Sequence, residues 1–163
     1  MILPPIVIII PFSKIFNYLR LLDTYPGLIL AHILVNLALV VWVMRSFFLR
    51  IPIEVEEAAI VDGCTRMQSF RKIVLPLSSS GLTAVTILSF IFSWNELMFA
   101  LSLTSSAIKT LPVFIATGYV GFLATNWGGL SAAGIIAIIP TIILILCSRK
   151  YLVTGFSFGT VSK

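Results

Sequence analysis

The sequence predicts an all-α, polytopic membrane protein, and three observations carry that prediction. Of its 163 residues 59% are hydrophobic and 10% charged, where an ordinary soluble domain has roughly 45–50% apolar and about 25% charged residues. Three apolar runs approach the roughly 20 residues that a helix needs to cross a hydrocarbon core about 30 Å thick. The basic residues behind the net charge of +5 gather just beyond the ends of those runs. They form no single patch, which argues against a nucleic-acid partner.

Taken in order, the opening stretch 1–12 (MILPPIVIIIPF) is apolar, but at about 1.5 Å per residue it reaches only about 18 Å. It is expected as a partial or irregular span. It lacks the leading basic residues and the small-residue cleavage site of a signal peptide. The first full span is expected over 27–45, where His32 and Asn36 are the polar interruptions and Arg45 and Arg50 close the run. Those two polar residues, four apart, share one helical face and read first as a packing contact, second as a solute contact. A long polar loop follows over 50–79, then a span over 81–103, an outer loop over 104–127, a span over 128–148 and a tail over 149–163. The last span carries Gly129, Ala133 and Ala137 at four-residue spacing, a face that lets helix backbones approach closely. Pro140 within it removes one backbone hydrogen bond and is expected to kink the helix.

Orientation follows from the basic residues. Arg45, Arg50, Arg66, Arg71 and Lys72 in the middle segment, with Arg149, Lys150 and Lys163 in the tail, are eight of the 11 Lys and Arg. Basic residues are retained on the cytoplasmic side, so the 50–79 loop and the C-terminus are expected there.

That loop has two helix signatures. Pro52 suits a helix start, and Glu54, Glu56 and Glu57 favour the positive end of the helix dipole. Asp62 and Gly63 end the first helix. Thr65 and Gln68 have capping-box spacing and open a second, in which Met67, Phe70, Ile73 and Val74 share a face until Pro76 stops it. Connections without a task are short, about 4–6 residues. On these features alone the loop is a docking surface for a cytoplasmic partner, a lipid-headgroup contact or a plain connector.

The run EEAAIVDGCTRMQSFRKIVLPLSSSG resembles the cytoplasmic loop signature of permease subunits from binding-protein-dependent ATP-binding cassette (ABC) importers. Glu57, Ala58, Ala59, Asp62, Gly63, Phe70, Leu75 and Pro76 carry the match. The flanking VVWVMRSFFLRIP, SWNELMFAL, LPPIVIIIPF and GFSFGTV look like the sugar-type branch. Ser80 stands where the family often has a second Pro, and the chain ends in Ser162 and Lys163 where Lys-Gly is usual. Members commonly have six spans, so this chain resembles their C-terminal part, beginning near the end of the third. The resemblance implies a permease in a bacterial-type inner membrane that carries a carbohydrate-like solute. It also implies a second permease subunit, an extracytoplasmic solute-binding protein and cytoplasmic ABC ATPases as partners, with lipid around the spans. The loop would then be the coupling element, with Glu57 pairing with basic groups of the ATPase, Ala58 and Ala59 allowing close contact, Gly63 making the turn and Phe70 holding the loop to the permease.

No Gly-rich Walker-type phosphate loop is present, so ATP hydrolysis is expected in a separate partner and this chain is not itself an enzyme. No Cys/His spacing suggests a metal, no cofactor is expected, and Cys64 and Cys147 read as packing residues. Trp94, Asn95 and Glu96 are candidate substrate-path residues. An ionisable group some 10 Å inside a span commonly faces a water-filled path or a bundle interior, although an interhelical bond explains Glu96 as well. A self-contained secondary transporter or channel would want midplane charges and internal repeats. A truncated, inactive permease fragment is the remaining alternative.

Overall fold

The computed structural model describes residues 5–119 and 125–156, with side chains from Val7 to Tyr119 and from Thr125 to Leu146. Residues 1–4, 120–124 and the tail from 157, with most of the GFSFGTV run, lie outside the described residues, as does the side chain of Cys147. Every regular element among them is helical, α8 (Leu111–Gly118) in the expected outer loop included.

The opening stretch forms a regular helix, α1 (Pro5–Tyr18), which passes through Pro11 and continues beyond Phe12. At about 1.5 Å per residue it is roughly 21 Å long. Two described helices are long and apolar enough to cross a membrane alone. These are α2 (Tyr25–Phe48), which carries the first span, and α9 (Trp127–Phe156), which carries the last and runs through Pro140 as one helix.

The run expected as one span over 81–103 is instead two helices, α6 (Ser79–Trp94) and α7 (Met98–Leu103). The polar residues between them cause the break. Asn95 turns its Nδ2 back to the Ile91 carbonyl at 2.8 Å, and the Glu96 carboxylate accepts from the backbone N–H of Phe99 at 2.8 Å and of Ala100 at 2.9 Å. Glu96 thereby satisfies donors that the start of any helix leaves without an intrahelical partner.

The chain packs as two units, one comprising residues up to Asn36 with Ile91–Ile143, the other Leu37–Phe90 with residues from Leu144. In the first, Phe16, Ala31, Phe99 and Leu103 form the core, with Ile8, Ile9, Phe12, Leu21, Leu22 and Val35 packed around it. Phe12 stacks on Phe16 at 5.6 Å and meets the edge of Phe99 at 5.7 Å. Apolar burial drives little helix association in lipid, where packing and interhelical hydrogen bonds decide. Such bonds are present among the described residues. Asn36, buried, donates from Nδ2 both to the His32 carbonyl and to Ser93 Oγ, each at 2.9 Å. Trp94 Nε1 donates to the Ala137 carbonyl at 3.0 Å, on the small-residue face of α9 that the Gly129/Ala133/Ala137 spacing marks. The rest of α9 presents Ile135, Ile136, Ile138, Ile139, Ile142 and Ile143 outward, as suits a helix in lipid.

A clasp of long sequence range closes one end of this unit. The turn before α2 puts Asp23 in the left-handed region at φ 55°. Its Oδ1 accepts from the N–H of Ser105 at 2.9 Å and of Ile108 at 3.3 Å. Its Oδ2 accepts from Ser105 Oγ at 2.7 Å and from the N–H of Ser106 at 3.1 Å and of Ala107 at 2.9 Å. Asp23 N–H donates back to the Leu103 carbonyl at 2.8 Å. The backbone N–H of Ser105, then that of Ala107, hold the Asp23 carboxyl well below the usual carboxylate range, because successive N–H groups favour the charged form.

A depressed folded pKa stabilises the clasp fully above the ordinary carboxylate value near 4, and that stability is lost as pH falls through the folded value. The clasp should therefore be unchanged between about pH 5 and about pH 8. Asp23→Asn removes the charge and turns a donor toward donors. Hydrogen–deuterium exchange over Ser105–Ile108 is expected to speed up by about tenfold, since five donors lose one charged acceptor. Unchanged exchange would show that the loop holds itself.

Candidate functional site

The polar loop is built in the second unit from α3 (Ile53–Val61), α4 (Arg66–Ser69), a π-helical turn (Phe70–Val74) and α5 (Leu75–Leu77). Pro52 stands as the N-cap of α3 in extended conformation, one position earlier than the first helical residue, and Glu54 and Glu56 lie in the first turn. At the other end Cys64 N–H donates to the Ala59 carbonyl and Gly63 N–H to the Ile60 carbonyl, both at 3.0 Å. With Gly63 at φ 89° this is a Schellman closure, in which a left-handed residue lets its own N–H and the next one satisfy the last carbonyls of the helix. The capping box follows, with Thr65 N–H donating to Gln68 Oε1 at 2.9 Å and Gln68 N–H to Thr65 Oγ1 at 3.3 Å.

The second helix does not stop at Pro76. It ends one residue later at Leu77 and meets α6 at an angle of 73°. The π turn explains how a proline fits near its end. Leu75 N–H reaches the Phe70 carbonyl, five residues back, so the ladder is already displaced where Pro76 would otherwise lack a donor and press on a carbonyl. Ser78, buried at the corner, bonds the Val74 carbonyl through both N–H and Oγ, at 3.0 and 2.9 Å. A segment set at 73° to α6 runs across that helix rather than continuing it.

Exposure divides the eight loop residues. Glu57, Ala58, Asp62 and Gly63 are exposed, and with Glu54 and Val61 they lie on one face, since 54, 57, 58, 61 and 62 follow the helical repeat. Ala59, the other half of the alanine pair, is 4% exposed and faces its own chain. Phe70 meets the edge of Phe48 at 6.0 Å, which ties the π turn to the end of α2. Leu75 is partly buried and Pro76 exposed. The face is acidic, and the Glu57 carboxylate has no hydrogen-bond or ion-pair partner among the described residues. Arg66, Arg71 and Lys72, also exposed, follow on the next segment.

Val61 was not singled out from the sequence, yet it is 86% exposed at the centre of this face. Its signal was available, as an apolar residue in register with Glu57 and Ala58. Trp94, Asn95 and Glu96 lie together at the α6–α7 break. Trp94 bonds Ala137 and Glu96 bonds α7, while Asn95 is exposed.

The sequence pattern of the family described as binding-protein-dependent transport system inner membrane component matches residues 1–157. The chain is 41% identical to the trehalose transport system permease protein SugB of Mycobacterium tuberculosis over 97% of its own length and 58% of that protein. It is 37% identical to the sulfoquinovosyl glycerol transport system permease protein SmoH of Agrobacterium fabrum, over 96% of this chain and 55% of that one. With the trehalose/maltose transport system permease protein MalG of Thermococcus litoralis the figures are 35%, 91% and 54%. The chain thus spans about half the length of the relatives it matches.

Proposed function

The chain belongs to the family of binding-protein-dependent transport system inner membrane components, and from that premise we propose that it forms part of the path by which an ATP-driven importer carries a carbohydrate-like solute. The relatives whose names specify trehalose, maltose and sulfoquinovosyl glycerol support the solute class. ATP is hydrolysed by separate cytoplasmic ABC subunits, and a second permease and an extracytoplasmic binding protein complete the assembly. The 50–79 loop and the C-terminus lie on the cytoplasmic side.

The observation that carries the coupling role is the exposed acidic face of Glu54, Glu57, Ala58, Val61 and Asp62, closed by the Gly63 turn. A carboxylate without a partner beside a side chain as small as Ala58 suits a basic, close-fitting cleft, and Val61 adds the apolar contact at its centre. The segment from Arg66 to Leu77, lying across α6, works as a lever that passes displacement of α3 to the spans. Ala59 and Phe70 seat the face on its own chain. At the α6–α7 break, Asn95 is the residue left open to the solute path, with Trp94 and Glu96 holding the break in shape.

The test is co-purification from native membranes, with the captured protein identified as an ABC ATPase by mass spectrometry. Glu57→Lys is expected to lower capture about tenfold, because reversing one charge of a close interfacial pair costs at least the roughly 1.5 kcal/mol seen for such couplings. Insertion into membranes should be unaltered. Equal capture by both chains would remove Glu57 from the interface.

A further inference from the structure

We propose that the loop-side end of α2 carries a binding site for an anionic phospholipid. A groove of about 510 Å³ runs along one side of the helix, lined by Val40, Val41, Met44, Arg45, Phe48 and Leu49. Among the described residues the lining is five apolar side chains and one cation, which match the two halves of such a lipid. From Arg45 to Val40 the groove extends about 7.5 Å at 1.5 Å per residue, about half of the roughly 15 Å of one leaflet of a 30 Å hydrocarbon core, so it holds the headgroup-proximal half of one acyl chain.

The charge stands at the matching level. Arg45 lies one turn before the end of α2, is exposed, and its guanidinium has no hydrogen-bond or ion-pair partner among the described residues. Trp42, 75% exposed, sits one turn away, as aromatic residues do at the headgroup boundary. Phe48 both lines the groove and meets Phe70 of the polar loop, so the groove ends where the chain leaves the span. Basic pockets at this depth recognise anionic headgroups. A phosphate ester beside Arg45 gains a charge-assisted pair that a zwitterionic headgroup partly cancels with its own cation.

The site does not depend on the import reading, and its test does not involve the ATPase. The full chain is released from detergent micelles into a mass spectrometer after equilibration with dioleoyl phosphatidylglycerol or dioleoyl phosphatidylcholine. The unaltered chain is expected to retain the anionic lipid about fivefold better, the factor that about 1 kcal/mol represents. Arg45→Gln should bring the two lipids to parity and Arg45→Lys should keep most of the preference. Val41→Trp, which fills the groove and leaves Arg45 in place, should lower retention of both. Parity in the unaltered chain, an unchanged preference in Arg45→Gln, undiminished retention in Val41→Trp, or a dimer of the chain that excludes lipid would each overturn the proposal.

Discussion

Gly63→Pro is expected to abolish solute uptake and ATPase capture in reconstituted membranes while leaving the chain inserted. Gly63 sits at φ 89° and donates its N–H to the Ile60 carbonyl. Proline fixes φ near −65° and has no N–H, so the Schellman closure cannot form and α3 loses its defined exit into Thr65. The acidic face and the lever would then no longer keep one register. Because a Cβ at Gly63 would meet nothing within 4 Å, the loss comes from backbone conformation and not from crowding. Gly63→Asn, which tolerates the left-handed region, should retain most of the activity, and Gly63→Val should fall between, since that region costs an L residue with a Cβ roughly 1–2 kcal/mol and a β-branched one is an outlier there. Normal uptake by Gly63→Pro would end the coupling assignment.

The parts of this molecule that were legible in its sequence are those encoded by neighbouring residues. The Asp62–Gly63 stop and the Thr65/Gln68 capping box appear in the structure as expected, because each involves residues within one turn of one another. α2 and α9 follow from apolar length, which His32 and Asn36 in the first and Pro140 in the second do not break. The α6–α7 break was marked by Asn95 and Glu96, but the same two residues suit a solute path as readily as a cap, and only the positions of the Phe99 and Ala100 amides distinguish these uses. Nor could the sequence say which alanine of the pair faces outward, since Ala58 and Ala59 differ only by the 100° that separates consecutive helical residues. Asp23 was the least legible. Its partners lie 82 to 85 residues away and are mostly backbone N–H groups, which every residue type but proline possesses.

Gly27→Ala is expected to be the most damaging small substitution to the fold itself. Gly27 is buried in the first turn of α2, where Thr24 acts as the cap. Thr24 Oγ1 accepts from the Gly27 N–H at 3.2 Å and donates to the Leu21 carbonyl at 2.8 Å. That doubled turn leaves no room for a side chain. A Cβ on Gly27 would overlap the Leu21 carbonyl oxygen and lie 3.0 Å from the Leu21 carbonyl carbon. A backbone carbonyl cannot rotate aside as a side-chain tip can, so the turn must open. Leu21, which packs on the core of Phe16, Ala31, Phe99 and Leu103, would be displaced. Asp23, two residues further on, would be drawn off the Ser105–Ile108 amides. Overpacking of this kind costs about 1–3 kcal/mol or more, which in detergent should lower Tm by on the order of 5 °C. Faster amide exchange over Ser105–Ile108 should accompany it, although the substitution touches none of those residues. Gly134→Ala is the control, because a Cβ there meets nothing within 4 Å and alanine is the better helix former by about 1 kcal/mol. A Gly27→Ala chain that melts like the unaltered one, with its clasp intact, would show that the turn before α2 yields without cost and that the Asp23 clasp does not depend on it.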